Sequence, residues 1–170
     1  MLKFGYVSGG LEMIYNKKME TYINEISKIN QITIDGSTSI RQGLNCNGEP
    51  YFYLEDNCWN LNENSKIKHS KEMLTQLEWS CNEIYISGSK DAKCLLQTAL
   101  LRVKSIETIL KAQYPLYSFD IIMSIDDGTE FDVLPSITVR FYCIRDNDYY
   151  IAHNELEEFS QPILIKSIIS

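Results

Sequence analysis

The sequence predicts a single α+β domain over residues 1–170, with a mostly antiparallel sheet packed on a long central helix at 91–113 and on an N-terminal helix. Three observations carry this. In residues 91–113, DAKCLLQTALLRVKSIETILKAQ, the apolar positions Ala92, Leu95, Leu96, Ala99, Leu100, Val103, Ile106, Ile109 and Leu110 recur at spacings of three and four, the period of a helix with one covered stripe. Residues 117–125, YSFDIIMSI, and 137–144, ITVRFYCI, carry the two-residue alternation of strands. No linker, internal repeat or low-complexity stretch divides the chain, and its length suits one domain with a sizeable core.

The elements follow in order. Residues 2–7 read as a short strand broken by Ser8-Gly9-Gly10, and 11–29 as an amphipathic helix. The Gly-Gly pair lacks both phosphate-loop patterns, GxGxxG and GxxxxGK[ST], so it reads as a tight strand-to-helix turn. Residues 31–34 form a strand before the Asp35-Gly36 turn. Asn47-Gly48 marks a hairpin whose second arm is the aromatic run 51–54, followed by an irregular excursion around Trp59. Ser70 caps a helix over 70–79, with Glu72 in its first turn and Met73 where a full capping box would have Glu. A strand at 83–87 leads into the central helix, for which Ser89 is the expected N-cap and Asp91 a first-turn acid, and which Pro115 ends. Asp127-Gly128 is a turn between the 117–125 strand and a run at 130–133. Asp146-Asn147 turns the 137–144 strand back into 149–152. Asn154 with Glu157 caps a short helix at 155–159, and 162–169 is a final apolar strand.

Composition excludes several classes. Apolar content of 44% and charge of 23% are those of a globular protein. No apolar run approaches the roughly 18–20 residues of a membrane span, and the first residues lack a signal-peptide core, so a cytoplasmic protein with no membrane partner is expected. The five cysteines, Cys46, Cys58, Cys81, Cys94 and Cys143, are scattered without a CxxC pair and read as free thiols, with Cys94 and Cys143 in the core. A thiol enzyme needs a nearby histidine, and His69 and His153 offer no local pairing; both read as surface residues near helix starts. The same two histidines give no metal-ligand spacing, and the 126–130 run lacks the alternating ligands of a calcium loop, so no metal and no cofactor are expected.

Charge is the informative feature. Residues 1–113 hold 13 acidic and 13 basic side chains, whereas 114–170 hold 10 acidic and 3 basic, so the net charge of −7 belongs to the last third. Such a one-signed region repels nucleic acid and attracts basic proteins. The acids gather at Asp126, Asp127 and Glu130, at Asp146 and Asp148, and at Glu155, Glu157 and Glu158, on turns and a short helix expected to be neighbours. Tyr149 and Tyr150 lie among them and suit an interface, because tyrosine buries a large ring and keeps a polar tip. Asp126, Asp127, Glu130, Asp146, Asp148, Tyr149, Tyr150, Glu155 and Glu158 are therefore the expected partner-binding residues.

With its closing segment DNDYYIAHNELEEFSQPILIKSII, the chain resembles the immunity proteins of bacterial toxin–immunity systems, such as those of contact-dependent growth inhibition and other polymorphic toxins. The resemblance lies in the whole profile: small, acidic, α+β and without a catalytic signature. It implies a non-enzymatic protein that binds and neutralises a cognate toxin domain, of nuclease type and basic, through an acidic surface. The alternatives are a small cytosolic enzyme with a pocket between the central helix and residues 37–64, or an adaptor that self-associates through an open sheet edge at 162–169.

Overall fold

A helix with so wide an apolar stripe requires a sheet to lie on, and the computed structural model, which describes residues 3–7, 11–26, 38–57, 70–129 and 133–170, provides one. The chain runs through strands β1 (Lys3–Val7) and β2 (Leu11–Tyr15), helix α1 (Lys17–Glu25), strands β3 (Ile40–Leu44) and β4 (Pro50–Leu54), helix α2 (Lys71–Cys81), strand β5 (Glu83–Ile86), helix α3 (Ala92–Gln113), and strands β6 (Ser118–Asp126), β7 (Ser136–Ile144) and β8 (Ile163–Ile168). Short 3-10 helices occupy Glu55–Asn57 and His153–Glu158. Six strands form one sheet in the order β1-β2-β8-β6-β7-β5, every neighbouring pair antiparallel, while β3 and β4 form a separate hairpin. The fold is the single α+β domain that the sequence predicts.

The alternation in β6 and β7 decides what lies on each side of the sheet. Cross-strand pairs Phe119–Cys143, Ile121–Phe141, Met123–Val139 and Ile125–Ile137 all face the inner core. Leu96, Ala99, Leu100, Val103, Ile106 and Leu110 of α3 pack there, each almost fully buried. Each buried Leu, Ile or Val contributes about 1.5–3 kcal/mol relative to exposure, so this stripe is a main source of stability. The β3–β4 hairpin joins the same core through Phe52, whose ring meets Tyr114, Tyr117 and Phe119 edge-on at 5.0, 5.0 and 4.9 Å.

The helix α2 stitches that hairpin to the sheet. Both oxygens of Glu78 are doubly used: Oε1 accepts from Phe52 N at 2.8 Å and Arg145 Nη2 at 2.6 Å, and Oε2 from Cys143 N at 2.8 Å and Arg145 Nη1 at 2.9 Å. Burial pushes the Glu78 carboxyl up, and these four donors oppose that push. With two N–H groups on each oxygen, the geometry is that of a carboxylate. Asn82, after the last turn of α2, accepts from Leu54 N at 3.0 Å and donates to Phe52 O at 2.8 Å. Side chains thus supply β4 with the ladder partners a neighbouring strand would give.

Several expectations change. Leu11–Tyr15 is a strand, and the N-terminal helix begins only at Lys17, because β2 pairs with both β1 and β8. The N-cap of α3 is Asp91, whose side chain accepts from Lys93 N at 2.9 Å; Ser89 instead accepts from Asp91 N. After Tyr149 the chain leaves the sheet instead of forming a strand, and the short helix that follows starts at His153 with no side-chain cap from Asn154. The last strand, β8, is not at an edge but between β2 and β6; the edges are β1 and β5. The open edge that the adaptor alternative needs is therefore at β1 or β5 and not at 162–169. Cys94 is exposed rather than in the core. The expected turn at 8–10, the strand at 31–34, the Asp35-Gly36 turn, residues 130–132, Cys58, Trp59 and His69 lie outside the described residues.

Candidate functional site

The outer face of the sheet carries a second, smaller core. Ile14, Ile122, Tyr142, Ile163 and Ile165 point away from α3 and are covered by Ile151 and Leu156. Those two residues belong to residues 145–162, a strap that leaves the end of β7, crosses the outer face and enters β8. The strap starts with a hairpin turn at Asp146 and Asn147, whose φ values of 53° and 58° are those of a two-residue type I′ turn, closed by Asp148 N donating to Arg145 O at 2.8 Å.

Three ties hold the strap down. At its start Arg145 is locked into Glu78 and also donates to Thr75 Oγ1 and Pro50 O at 3.0 and 2.9 Å. In its middle lies Asp120, a β6 residue with no exposed surface. Its Oδ2 accepts from Tyr142 Oη at 2.9 Å and lies 2.8 Å from His153 Nε2, and its Oδ1 accepts from Ser167 Oγ at 2.6 Å. Tyr142 Oη in turn accepts from Tyr150 N at 3.1 Å, and burial, with Asp120 beside it, pushes its ionisation far above the ordinary tyrosine value. At its end Asn16, the N-cap of α1, donates to Leu156 O and Gln161 O at 3.3 and 2.8 Å and accepts from Met19 N and Ile163 N. A segment with little regular structure is thereby fixed at both ends and in the middle.

The sheet separates residues the sequence groups together. Asp126 pairs with Ser136 at one end of the β6–β7 hairpin, and Ile144 pairs with Ser118 at the other. Eight strand steps put the Asp126–Asp127 turn about 27 Å from the turn at Asp146. The expected single acidic array is therefore two. At the first turn both exposed carboxylates brace the backbone: Asp126 Oδ1 accepts from Gly128 N at 2.9 Å, and Asp127 Oδ1 from Thr129 N and Oγ1 at 3.0 and 2.8 Å. The Thr129 hydrogen bonds hold the Asp127 carboxyl below its usual range. Glu130 lies outside the described residues.

On the strap, Asp146, Asp148, Glu155, Glu157 and Glu158 are all exposed. Asp146 forms an exposed pair with Lys71 at 2.9 Å, and Glu157 accepts from Lys17 N at 3.3 Å. Tyr149, Tyr150 and Phe159 retain 37%, 45% and 38% of their surface, so three rings stand among these acids. Tyr150 stacks on Trp79 at 4.5 Å and Tyr149 meets the His153 ring at 4.6 Å. Asp120, counted with the acidic third of the sequence, is interior, and His153 is half-buried against it rather than a surface residue. Neither role has a sequence signal beyond the position of Asp120 inside an apolar strand.

The thiols offer little chemistry. Cys143 is buried beside Glu78 and pushed up to about 12, mainly by burial, and the nearby Asp91 raises Cys94. Among the described residues no group of three or more metal-ligating side chains is gathered, and no helix is long and apolar enough to cross a membrane. No curated protein and no solved structure matches the chain. A family model described as "Uncharacterized protein PM0498 family" matches residues 14–169, which includes the end of β2, all three helices, the strap and strands β3 to β8. By that match over most of its length, the chain belongs to the PM0498 family.

Proposed function

We propose that this is a cytoplasmic immunity-type inhibitor, which binds a basic toxin domain and neutralises it by covering the surface that holds its anionic substrate. The observation that carries the reading is the strap. Its exposed acids, Asp146, Asp148, Glu155, Glu157 and Glu158, have no lysine or arginine among them from residue 146 to 162, and Tyr149, Tyr150 and Phe159 supply apolar area within the charge. Charge of one sign speeds encounter with a basic partner, and aromatic anchors supply the dry centre that holds it. Three internal ties keep the strap in one conformation, which lowers the ordering cost of binding. In this reading the Asp126–Asp127 turn, at the far end of the hairpin, lies outside the contact, and Asp146, already paired with Lys71, contributes less than Asp148 and Glu155.

The test is protection of growth when the protein is co-expressed with a basic toxin candidate taken from the neighbouring genes. Asp148→Lys, Glu155→Lys and Glu158→Lys together should abolish protection and weaken the complex by about two orders of magnitude, at roughly 1 kcal/mol per reversed charge. Asp126→Lys with Asp127→Lys should leave protection intact. Full protection by the triple variant, or harmlessness of the neighbouring protein when expressed alone, would sink the proposal.

A further inference from the structure

The sheet ends on a short strand with one flank open. β5 pairs with β7, rests on α3 by its inner face, and has no strand on its other flank among the described residues. Which of its backbone groups look outward follows from β7. Cys143 N donates to Glu78 and Phe141 O accepts from Asn82, so the odd-numbered residues of β7 turn their backbone groups away from β6. Val139 and Ile137 therefore exchange hydrogen bonds with their partners Ile84 and Ile86. Glu83 and Tyr85 are left to turn their N–H and C=O groups to the open flank.

The side chains do not protect this edge. Edge strands are commonly blunted by lysine, by proline or by a bulge. β5 has none of these, and its single charge, Glu83, is paired with Arg140 of β7. Tyr85 keeps 62% of its surface, and Ile84 and Ile86, though packed on the main core, are only half-buried. Apolar surface and outward backbone groups thus share one strip. A strip of four residues is too short to order a flexible peptide, which would lose its chain entropy on pairing. A strand that is already ordered loses little, and β5 of a second copy is such a strand.

The residues of β5 also complement themselves. Antiparallel pairing about a two-fold axis at Tyr85 sets Tyr85 opposite its own copy, where the two exchange N–H to C=O hydrogen bonds. The same register sets Ile84 opposite Ile86 and Glu83 opposite Ser87. Ring meets ring, isoleucine meets isoleucine, and no like charges are opposed. The acids of the strap follow Ile144, beyond the part of β7 that β5 covers, so the negative charge of the chain is not gathered at this edge.

We propose that β5 is a self-association edge, through which two copies of the chain pair antiparallel about Tyr85 and join their six-stranded sheets into one. This pairing goes beyond the docking reading and does not rest on it. Sedimentation velocity of the full chain, from about 5 μM to about 1 mM, should show a reversible dimer with a Kd on the order of 10–100 μM, as suits a small interface. Tyr85→Lys, at an exposed position, sets two like charges across the axis and should weaken the dimer at least about tenfold. An NMR dilution series locates the contact without any variant: the Glu83 and Tyr85 amide resonances should move with concentration, and those of Asp148 and Tyr149 on the strap should not. A monomer at every concentration, a dimer unaffected by Tyr85→Lys, or concentration-dependent shifts that leave Tyr85 unmoved overturns the proposal.

Discussion

Replacing Arg145 by methionine tests how the strap and the β3–β4 hairpin are held. The substitution keeps the apolar stem and removes both guanidinium contacts to Glu78, at 2.9 and 2.6 Å, together with those to Thr75 and Pro50. Glu78, 1% exposed, then keeps only the Phe52 and Cys143 amides. Breaking a buried pair from one side costs about 3–5 kcal/mol, because a charge is left without compensation. At 2–4 °C per kcal/mol for a chain of this size, the midpoint should fall by about 6–20 °C. The cost should also depend on pH. Burial already holds the Glu78 carboxyl above its ordinary value, and without Arg145 less opposes it, so its folded value lies further above the unfolded one. A carboxyl raised in this way destabilises the fold at pH above its folded pKa, and the penalty shrinks as pH falls and the group takes up a proton. Urea titrations followed by circular dichroism, from pH 8 to pH 5, should therefore show the gap between the two proteins narrowing as pH falls. A cost below about 1 kcal/mol, or one that stays constant with pH, refutes the account of Glu78 as a carboxylate held by Arg145.

Three further outcomes follow from the geometry. Glu107 of α3 accepts from Lys111 at 2.7 Å and lies 3.4 Å from the buried Lys166 of β8; burial pushes it up, but the two lysines hold it below the usual range. Its contribution is present above the ordinary value of 4.5 and is lost as pH falls below it, so Glu107→Gln should cost about 1–3 kcal/mol at pH 7 and progressively less in acid urea titrations. Gly128 has a φ of 73°, and a Cβ there would stand 2.1 Å from Val133 O, so Gly128→Ala should lower stability by about 1–3 kcal/mol in thermal denaturation. Cys143 should resist alkylation at pH 8 in the folded protein, while the exposed Cys46 and Cys94 react, as peptide mass mapping would record.

Much of the frame was legible because it is locally encoded. The three-and-four spacing from Leu95 to Leu110, the alternation in β6 and β7 and the Ser70 cap each announce their element without reference to the rest of the chain. What failed was non-local. Residues 11–15, LEMIY, fit a helix as well as a strand, and only pairing with Lys3–Val7 and with β8 selects the strand. The same pairing carries β8 into the middle of the sheet, which no local pattern specifies. The site was half legible. The acids and tyrosines of the strap could be named, but their separation from Asp126 and Asp127 depends on which end of a hairpin each occupies. Glu78, Asp120 and Arg145 look like any surface charge until the fold buries them.

The position of β8 also orders the making of the protein. α3, β6 and β7 are contiguous in the chain and are synthesised together, so they can collapse early. The β1–β2 hairpin, made before them, pairs with the rest of the sheet through Ile14 and Tyr15 against Ile165 and Leu164, residues made after β7. Until they leave the ribosome, β6 presents an open apolar edge, a template for pairing with other nascent chains. Assembly is thus a closing event in which one late segment unites both halves of the sheet, and it gives chaperones a defined interval in which to act.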